Sequence, residues 1–324
     1  MRLRPILPEI RPLHPMPRTS PALVSLPKAT TTSRVLVVGD VLDDIIVAPS
    51  RRPSENTDTD ARIQHRAGGS AANTAAWLGT LGVRTDFVGR VGVTDVQRHT
   101  QLLVNAGVTP HLSHATSEPT GTVVITVDGP TRTMLTDRGA SAGLSLDRIT
   151  DELLAGVAVV HLTGYTVLES RSPVAYRRLV GRIRAAGARL SLDPASAGFI
   201  REYRPAAFLD LVSGADLFFP SLDEGRLLTG EEEPEAVVRS LAERFGVVAL
   251  ALPDGSSVAG RASGPLTVTE TAASRFVDPI GAGDAFAAGF LCGWLHSPSV
   301  ALSSRKAVKV AAFAMAVVGG RPSR

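Results

Sequence analysis

Residues 278–290 read Asp-Pro-Ile-Gly-Ala-Gly-Asp-Ala-Phe-Ala-Ala-Gly-Phe, and their types at this spacing suit one kind of chemistry. Gly281 and Gly283 flank Ala282 and can take backbone angles that other residues avoid, so the amides from 281 to 284 can turn toward one point. An apolar run at helical spacing follows. A helix starting here would aim its unpaired N–H groups and the positive end of its dipole at the same point. Such a place suits the negative charge of a phosphoryl group in transit. Asp284 would stand beside it, and a carboxylate next to an anion hole is costly unless it works. Taking the proton of an attacking hydroxyl is the obvious task. The same residues also read as a turn followed by an N-capping Asp, with the glycines serving only backbone geometry.

A second stretch, residues 67–75, reads Ala-Gly-Gly-Ser-Ala-Ala-Asn-Thr-Ala and continues to Gly82. Its glycine pair opens a helix of small residues and lets a ligand approach the backbone closely. Asn73, about one turn in, offers both a donor and an acceptor to a polyol. Taken alone, the stretch equally describes an Ala-rich helix packed tightly on a sheet.

The elements that must position these residues follow from hydrophobic period. Residues 34–39 form a short apolar strand ending in a glycine turn. Residues 45–66 are extended, with Ile45-Ile46-Val47 and Ala61-Arg62-Ile63 around a polar loop. A helix over 70–82, a strand over 85–91 and a helix over 94–106, stopped by Gly107, come next. Alternation over 121–136 predicts a hairpin turning at Asp128-Gly129-Pro130. Beyond residue 150 the pattern becomes regular, with strands at 157–162, 188–193, 215–219, 247–252 and 266–269 and helices between them. A parallel sheet with helices on both faces is the natural solution, with its ligand site at the carboxyl edge of the strands. The early extended segments cannot all join that sheet and are expected to form a small second sheet over the site, a lid.

With 324 residues, 44% of them hydrophobic, the chain can bury one large α/β core. No run approaches the length of a membrane-spanning helix. A single cysteine, Cys292, excludes an intramolecular disulfide and a cysteine metal cluster, which favours a cytoplasmic location, and the scattered histidines argue against structural zinc. The net charge of +3 is unevenly placed. Residues 1–34 hold six basic side chains against Glu9 alone, so the remainder is slightly acidic and carries no basic stripe for nucleic acid. That segment is rich in proline and arginine. Residues 1–33 are therefore expected to be a disordered extension, with the folded domain spanning 34–324 and its lid drawn from about 45–66 and 117–137.

Together the two motifs say more than either alone. Gly-Gly-x-x-x-Asn early and Asp-x-x-Gly-Ala-Gly-Asp about two hundred residues later resemble the ribokinase-like (PfkB) carbohydrate kinase family, in order, separation and total length. The resemblance runs from roughly Val35 to Gly320. It includes the first strand and turn, Gly39-Asp40-Val41-Leu42-Asp43-Asp44, the lid segments Thr120-Gly121-Thr122 and Arg132-Thr133, and Leu192-Asp193-Pro194. It implies a three-layer α/β/α fold with a mostly parallel central sheet and a small β lid. It also implies phosphoryl transfer from ATP, with Mg2+, to a hydroxymethyl group of a small sugar or sugar acid. On that reading Asp284 is the catalytic base, and Gly281, Ala282 and Gly283 form the anion hole. Asp44, Gly69 and Asn73 contact the acceptor. Arg138, just after the lid, could bind a carboxylate or phosphate on it, or be only an exposed loop arginine. Ser221, Gly255 and Asp278 fall on the nucleotide side, and Glu224 could act on the metal through water. Dimerisation through the lid is a family habit that this sequence does not decide. No nucleic acid or membrane partner is implied.

The departures all concern the nucleotide. Pro220-Ser221-Leu222-Asp223-Glu224 has Ser221 where the family usually has Asn, and a helix-cap serine explains it equally well. Ala251-Leu252-Pro253-Asp254-Gly255 stands where the family has a Thr-Leu-Gly-x-x-Gly phosphate loop, without the hydroxyl and with an added negative charge. Residues 311–316 lack the Asn often found near the adenine. Two readings follow: a working kinase with an altered nucleotide grip, or a sugar- or nucleoside-binding relative that acts as a sensor. The intact Asp284 and Gly-Ala-Gly cradle favour the first. A nucleoside acceptor is an alternative that the lack of aromatics in the 121–136 hairpin disfavours.

Overall fold

The computed structural model describes residues 32–128, 131–170, 172–272 and 276–322. The expected extension (residues 1–31 of it) and the tip of the 121–136 hairpin at 129–130 lie outside these. Thirteen strands run in chain order as β1 (Arg34–Val38), β2 (Leu42–Pro49), β3 (Ala61–Gly68), β4 (Arg84–Gly92), β5 (Val108–Ala115), β6 (Thr120–Asp128), β7 (Thr131–Gly139), β8 (Val157–Thr163), β9 (Arg189–Asp193), β10 (Leu217–Phe218), β11 (Val247–Ala251), β12 (Ser257–Gly260) and β13 (Thr267–Thr269). Nine of them form one sheet in the order β13-β12-β11-β10-β9-β8-β1-β4-β5, parallel from β11 to β5 and antiparallel at the β11–β12 and β12–β13 pairs.

β1 shows why this sheet must be covered on both sides. Its run Val35-Leu36-Val37-Val38 is fully buried, and successive side chains point to opposite faces. Leu36 and Val38 join a core with Leu162, Tyr176, Ile183, Phe208 and Val237, under the helices that follow β8 to β10. Val35 and Val37 join the other core with Trp77, Phe87, Leu103 and Phe290. Helices Ser70–Thr80 and Ala282–His296, which carry the two motifs, both lie on that second face. A parallel strand shielded by helices has no polar face, which is why these runs do not alternate.

The second sheet is small, with the order β3-β2-β6-β7. β2 is antiparallel to β3 and parallel to β6, and β6 is antiparallel to β7. The two extended segments expected within 45–66 are thus regular strands, 42–49 and 61–68, of the same sheet as the hairpin, which spans 120–139. The inner face of this sheet buries Leu42, Ile46, Val123 and Ile125 against Ile280, the residue before the first glycine of the Gly-Ala-Gly turn.

Three details differ from expectation. β5 went unforeseen; Pro110 sits in it, and β5 is the sheet's outer strand, the place in a sheet that tolerates proline. β12 was also unforeseen; β11 and β12 are joined by a tight turn over 252–256, where the resemblance placed a phosphate loop. β10 has two residues instead of five.

Candidate active site

The Ala282–His296 helix opens at Gly281, whose φ of 75° is left-handed and so favours glycine. A Cβ there would also meet the backbone of Gly320. The Ala282 N–H is spent on the Pro279 carbonyl, and the first helical bond runs from Ala285 to Gly281. The amides of Gly283 and Asp284 thus have no helical acceptor behind them. This narrows the anion-hole expectation, since the Ala282 amide is committed elsewhere. Asp284 stands in the first turn of its helix, where the dipole favours its charge.

Ser70–Thr80 opens at Gly69, with φ 90° and its would-be Cβ 2.6 Å from the Asp40 carbonyl oxygen. No side chain of this helix caps its own N-terminus. Asp40 does so from the loop after β1: its Oδ2 accepts from the Ser70 amide at 2.9 Å and its Oδ1 from the Ala71 amide at 3.1 Å. Asp40 is therefore a structural anion at a helix start, a role that the sequence reading did not assign.

The two helices then meet. Ser70 donates from Oγ to Asp284 Oδ1 at 2.6 Å, and Asn73 donates from Nδ2 to Asp284 Oδ2 at 2.8 Å. Ser70 went unnamed in the sequence reading, although its place between Gly69 and Asn73 on one helix face marked it. Burial pushes the Asp284 carboxyl up to about 6, while the hydrogen bonds from Ser70 and Asn73 oppose that rise. A carboxyl poised there is ionised at neutral pH and basic enough to take a proton.

Asp43 and Asp44 show strand alternation dividing two carboxylates between tasks. Arg98 donates two hydrogen bonds to Asp43, at 2.8 and 2.6 Å. Burial would raise the Asp43 carboxyl, but hydrogen bonds from His99 and Arg98 hold it well below the ordinary range. Asp44 faces the other way, into the site, against Gly68. Burial pushes it up to about 7, with Arg321 pulling down and the charges of Asp284 and Asp40 adding to the rise.

Arg138 is partnered on every side. Its Nε lies 2.9 Å from Glu169, its Nη1 3.5 Å from Asp40, and its guanidinium 3.8 Å from the centre of the Tyr165 ring. It is no exposed loop arginine: only 14% of its side chain is accessible.

On the nucleotide side, Ser221 and Glu224 form a capping box for helix Leu222–Thr229. Glu224 Oε2 accepts from the Ser221 amide at 2.7 Å, and Ser221 Oγ accepts from the Glu224 amide at 3.4 Å. Ser221 also bridges to Ala251, so two of the departures sit side by side at the carboxyl edge of β10 and β11. Gly255 has φ 82° in the turn, and Asp254 accepts from the Ser256 amide and hydroxyl. Asp278 accepts from the Ile280 amide and the Gly319 amide, each at 3.0 Å, and its Oδ1 lies 3.6 Å from Arg132 of β7. Asp193, at the end of β9, is pushed well up by burial and by the charges of Glu224 and Asp284.

Among the described residues, no three His, Cys, Asp or Glu side chains group closely enough to hold a metal. An Mg2+ ion would therefore depend on nucleotide phosphates, with Glu224 and its neighbour Asp193 as the carboxyls that could join it once ionised; such sparse protein ligation fits this ion.

The residue least legible in the sequence is Arg321. From the segment after the last helix it donates from Nη2 to the Gly68 carbonyl at 2.7 Å and from Nε to Asn73 Oδ1 at 3.3 Å. The same segment receives a bond from Trp77 Nε1 to the Gly320 carbonyl at 2.9 Å. No periodicity or motif announces it.

A carboxylate at a glycine-opened helix, held by a serine and an asparagine under a small covering sheet, suits proton transfer from a hydroxyl compound. The pfkB family of carbohydrate kinases matches residues 32–324, and the chain belongs to that family. It is 29% identical over 307 residues to a ribokinase of Arabidopsis thaliana, covering 89% of this chain and 78% of that one. The fold is similar to that of an adenosine kinase from Sinorhizobium meliloti (TM-score 0.80, 24% identity, 90% of this chain and 96% of that one). It is also similar to an E. coli structure described as a ribokinase II in complex with ATP and Mg2+ (TM-score 0.76, 20% identity, 89% and 94%). The protein is a carbohydrate kinase of that family. Among the described residues no helix is long and apolar enough to cross a membrane.

Proposed function

We propose that the protein transfers the γ-phosphoryl group of ATP to a hydroxymethyl group of a small sugar, with Asp284 as general base. The observation that carries this reading is the meeting of Asp284 with Ser70 and Asn73 beside Asp44. Asp44 and Asn73 hold acceptor hydroxyls and turn one of them toward Asp284. As its oxygen attacks, the proton passes to Asp284, the new O–P bond forms and the bond to the ADP oxygen breaks. The amides of Gly283 and Asp284 offset charge on the transferring group. Mg2+, when bound, would neutralise phosphate charge, and Glu224 is the carboxylate that would hold it through water. The small sheet, bolted to Ile280 and Asp278 by its apolar face and by Arg132, serves as the lid that excludes water.

Five carboxyls, Asp40, Asp44, Glu169, Asp193 and Asp284, face this region against Arg138 and Arg321, and Arg138 is already paired. That balance favours a neutral polyol over a sugar acid. Side-by-side departures at Ser221 and Ala251 support the second reading, a sugar-binding protein without turnover. The test is a coupled ADP-release assay over D-ribose, D-fructose, 2-keto-3-deoxygluconate and adenosine with Mg2+ and ATP or GTP, run beside Asp284→Asn. The kinase reading expects the substitution to lower kcat by at least about 100-fold while a sugar still raises the melting temperature. Sugar-dependent stabilisation without Asp284-dependent turnover would leave only the binding reading. A dimer through the lid, where Ile63, Met134 and Leu135 are exposed, is checked by sedimentation.

A further inference from the structure

We propose that Arg321 is a positioning residue for this reaction, gripping Asn73 so that its amide can only present Nδ2 to the base. The proposal rests on the reading of Asp284 as that base. Asn73 has one oxygen and one amino group, and it meets a different partner at each end. A guanidinium has no acceptor, so the end facing Arg321 Nε must be Oδ1. The end facing the Asp284 carboxylate must then be Nδ2, as the 2.8 Å contact has it. Rotating the amide would set N–H against N–H at one end and oxygen against carboxylate at the other. Without Arg321 only one of those two penalties remains.

The arginine is itself held rigidly. Its Nη2 bonds the Gly68 carbonyl, its neighbour Gly320 accepts from Trp77, and Gly319 donates to Asp278. The segment therefore ties the glycine pair of one motif to the aspartate that opens the other. Its Nη1 is buried and has no hydrogen-bond partner in the structure, a costly state for a donor unless a ligand oxygen meets it.

Charge supports the geometry. The groups facing Asp284 are Asp40 from the loop after β1, Asp44 from β2, Asp193 from the end of β9, and Arg321. Arg138 is spent on Asp40 and Glu169. Arg321 is thus the cation among these charges that favours the ionised form of both Asp44 and Asp284, and removing it makes the base harder to ionise.

The experiment compares wild type, Arg321→Gln, Arg321→Lys and Asp284→Asn in the full chain. The Asp284 carboxyl is followed by carbon-13 NMR titration without ligands, its signal assigned from Asp284→Asn. Arg321→Gln is expected to move the titration up by about one pH unit, and the acid limb of kcat/KM with it, measured on whichever of D-ribose, D-fructose, 2-keto-3-deoxygluconate or adenosine turns over fastest. Arg321→Lys should return most of that shift. An unshifted titration and pH profile in Arg321→Gln that melts like wild type would overturn the proposal. Where Arg321→Gln does not fold, Arg321→Lys decides: restored charge with a wild-type titration supports a charge role, and an unrestored titration in a folded protein counts against it. Full turnover in Asp284→Asn would defeat the base reading instead, and the titration would still report on Arg321.

Discussion

Asn73 donates from Nδ2 to Asp284 Oδ2 across 2.8 Å, although 211 positions separate the two residues in the chain. Each belongs to a helix opened by a glycine with positive φ, so each helix start brings its first turn to the same spot. Replacing Asn73 with Ala removes one donor that favours the ionised base and one contact for an acceptor hydroxyl. The expected result is a loss of about 10- to 100-fold in kcat/KM with the acid limb shifted upward. A pH-rate series on Asn73→Ala and wild type checks both effects, and an unmoved acid limb would count against the hydrogen bond's role.

Gly320 lies so close to Asn73 that a Cβ on it would overlap the amide. Gly320→Ala must push Asn73 aside or shift the segment that carries Arg321. We expect a strong loss of kcat with a destabilisation of about 1–3 kcal/mol, read by activity and denaturant melts. Gly283→Ala is the control, because open space surrounds that position. It should fold as wild type.

Ser221 caps a helix in this structure, and its amide is spent on Glu224. Ser221→Ala should therefore cost about 1 kcal/mol of stability, the usual loss for a cap, and leave the KM for ATP within about twofold. A large rise in that KM with unchanged stability would restore the phosphate-contact role instead.

Among the carboxyls that the fold raises, Asp44 reaches about 7, Glu169 about 7 and Asp284 about 6, each chiefly because burial disfavours the charge, and Asp193 and Glu224 are raised as well. In the unfolded chain such groups titrate near 4. Between about pH 4 and pH 7 the folded protein therefore holds more protons than the unfolded chain, and stability must fall as pH rises through that window. The melting temperature of the ligand-free protein should drop between pH 5 and pH 7.5. Asp44→Asn, which has nothing to ionise there, should flatten the slope.

How much of this could be read beforehand divides along a physical line. Gly281-Ala282-Gly283-Asp284 and Gly68-Gly69 with Asn73 were legible because backbone freedom and helix starts are local properties of a few residues. The buried strands were legible for the same reason: apolar runs such as Val35–Val38 need cover on both faces wherever they lie. Arg138 was seen but left between two roles, since its place in the sequence says nothing about Glu169, Asp40 and Tyr165 closing around it at the end of β7. β5 was not foreseen; it holds Pro110, whose cost depends on whether a strand is an edge. Ser221 was left between two roles that only its partner Glu224 could separate.

By itself the sequence determined the kind of chemistry, through the glycines that free amides and the carboxylate placed next to them. The tertiary structure decided which partners steady that carboxylate. Ser70 and Asn73 meet Asp284, and Arg321 meets the Asn73 amide, only because two helices and the segment after the chain's last helix fold onto one face of the sheet. Hydrogen bonds and burial depend on distances of a few ångströms between residues far apart in the chain, and no local spacing encodes those.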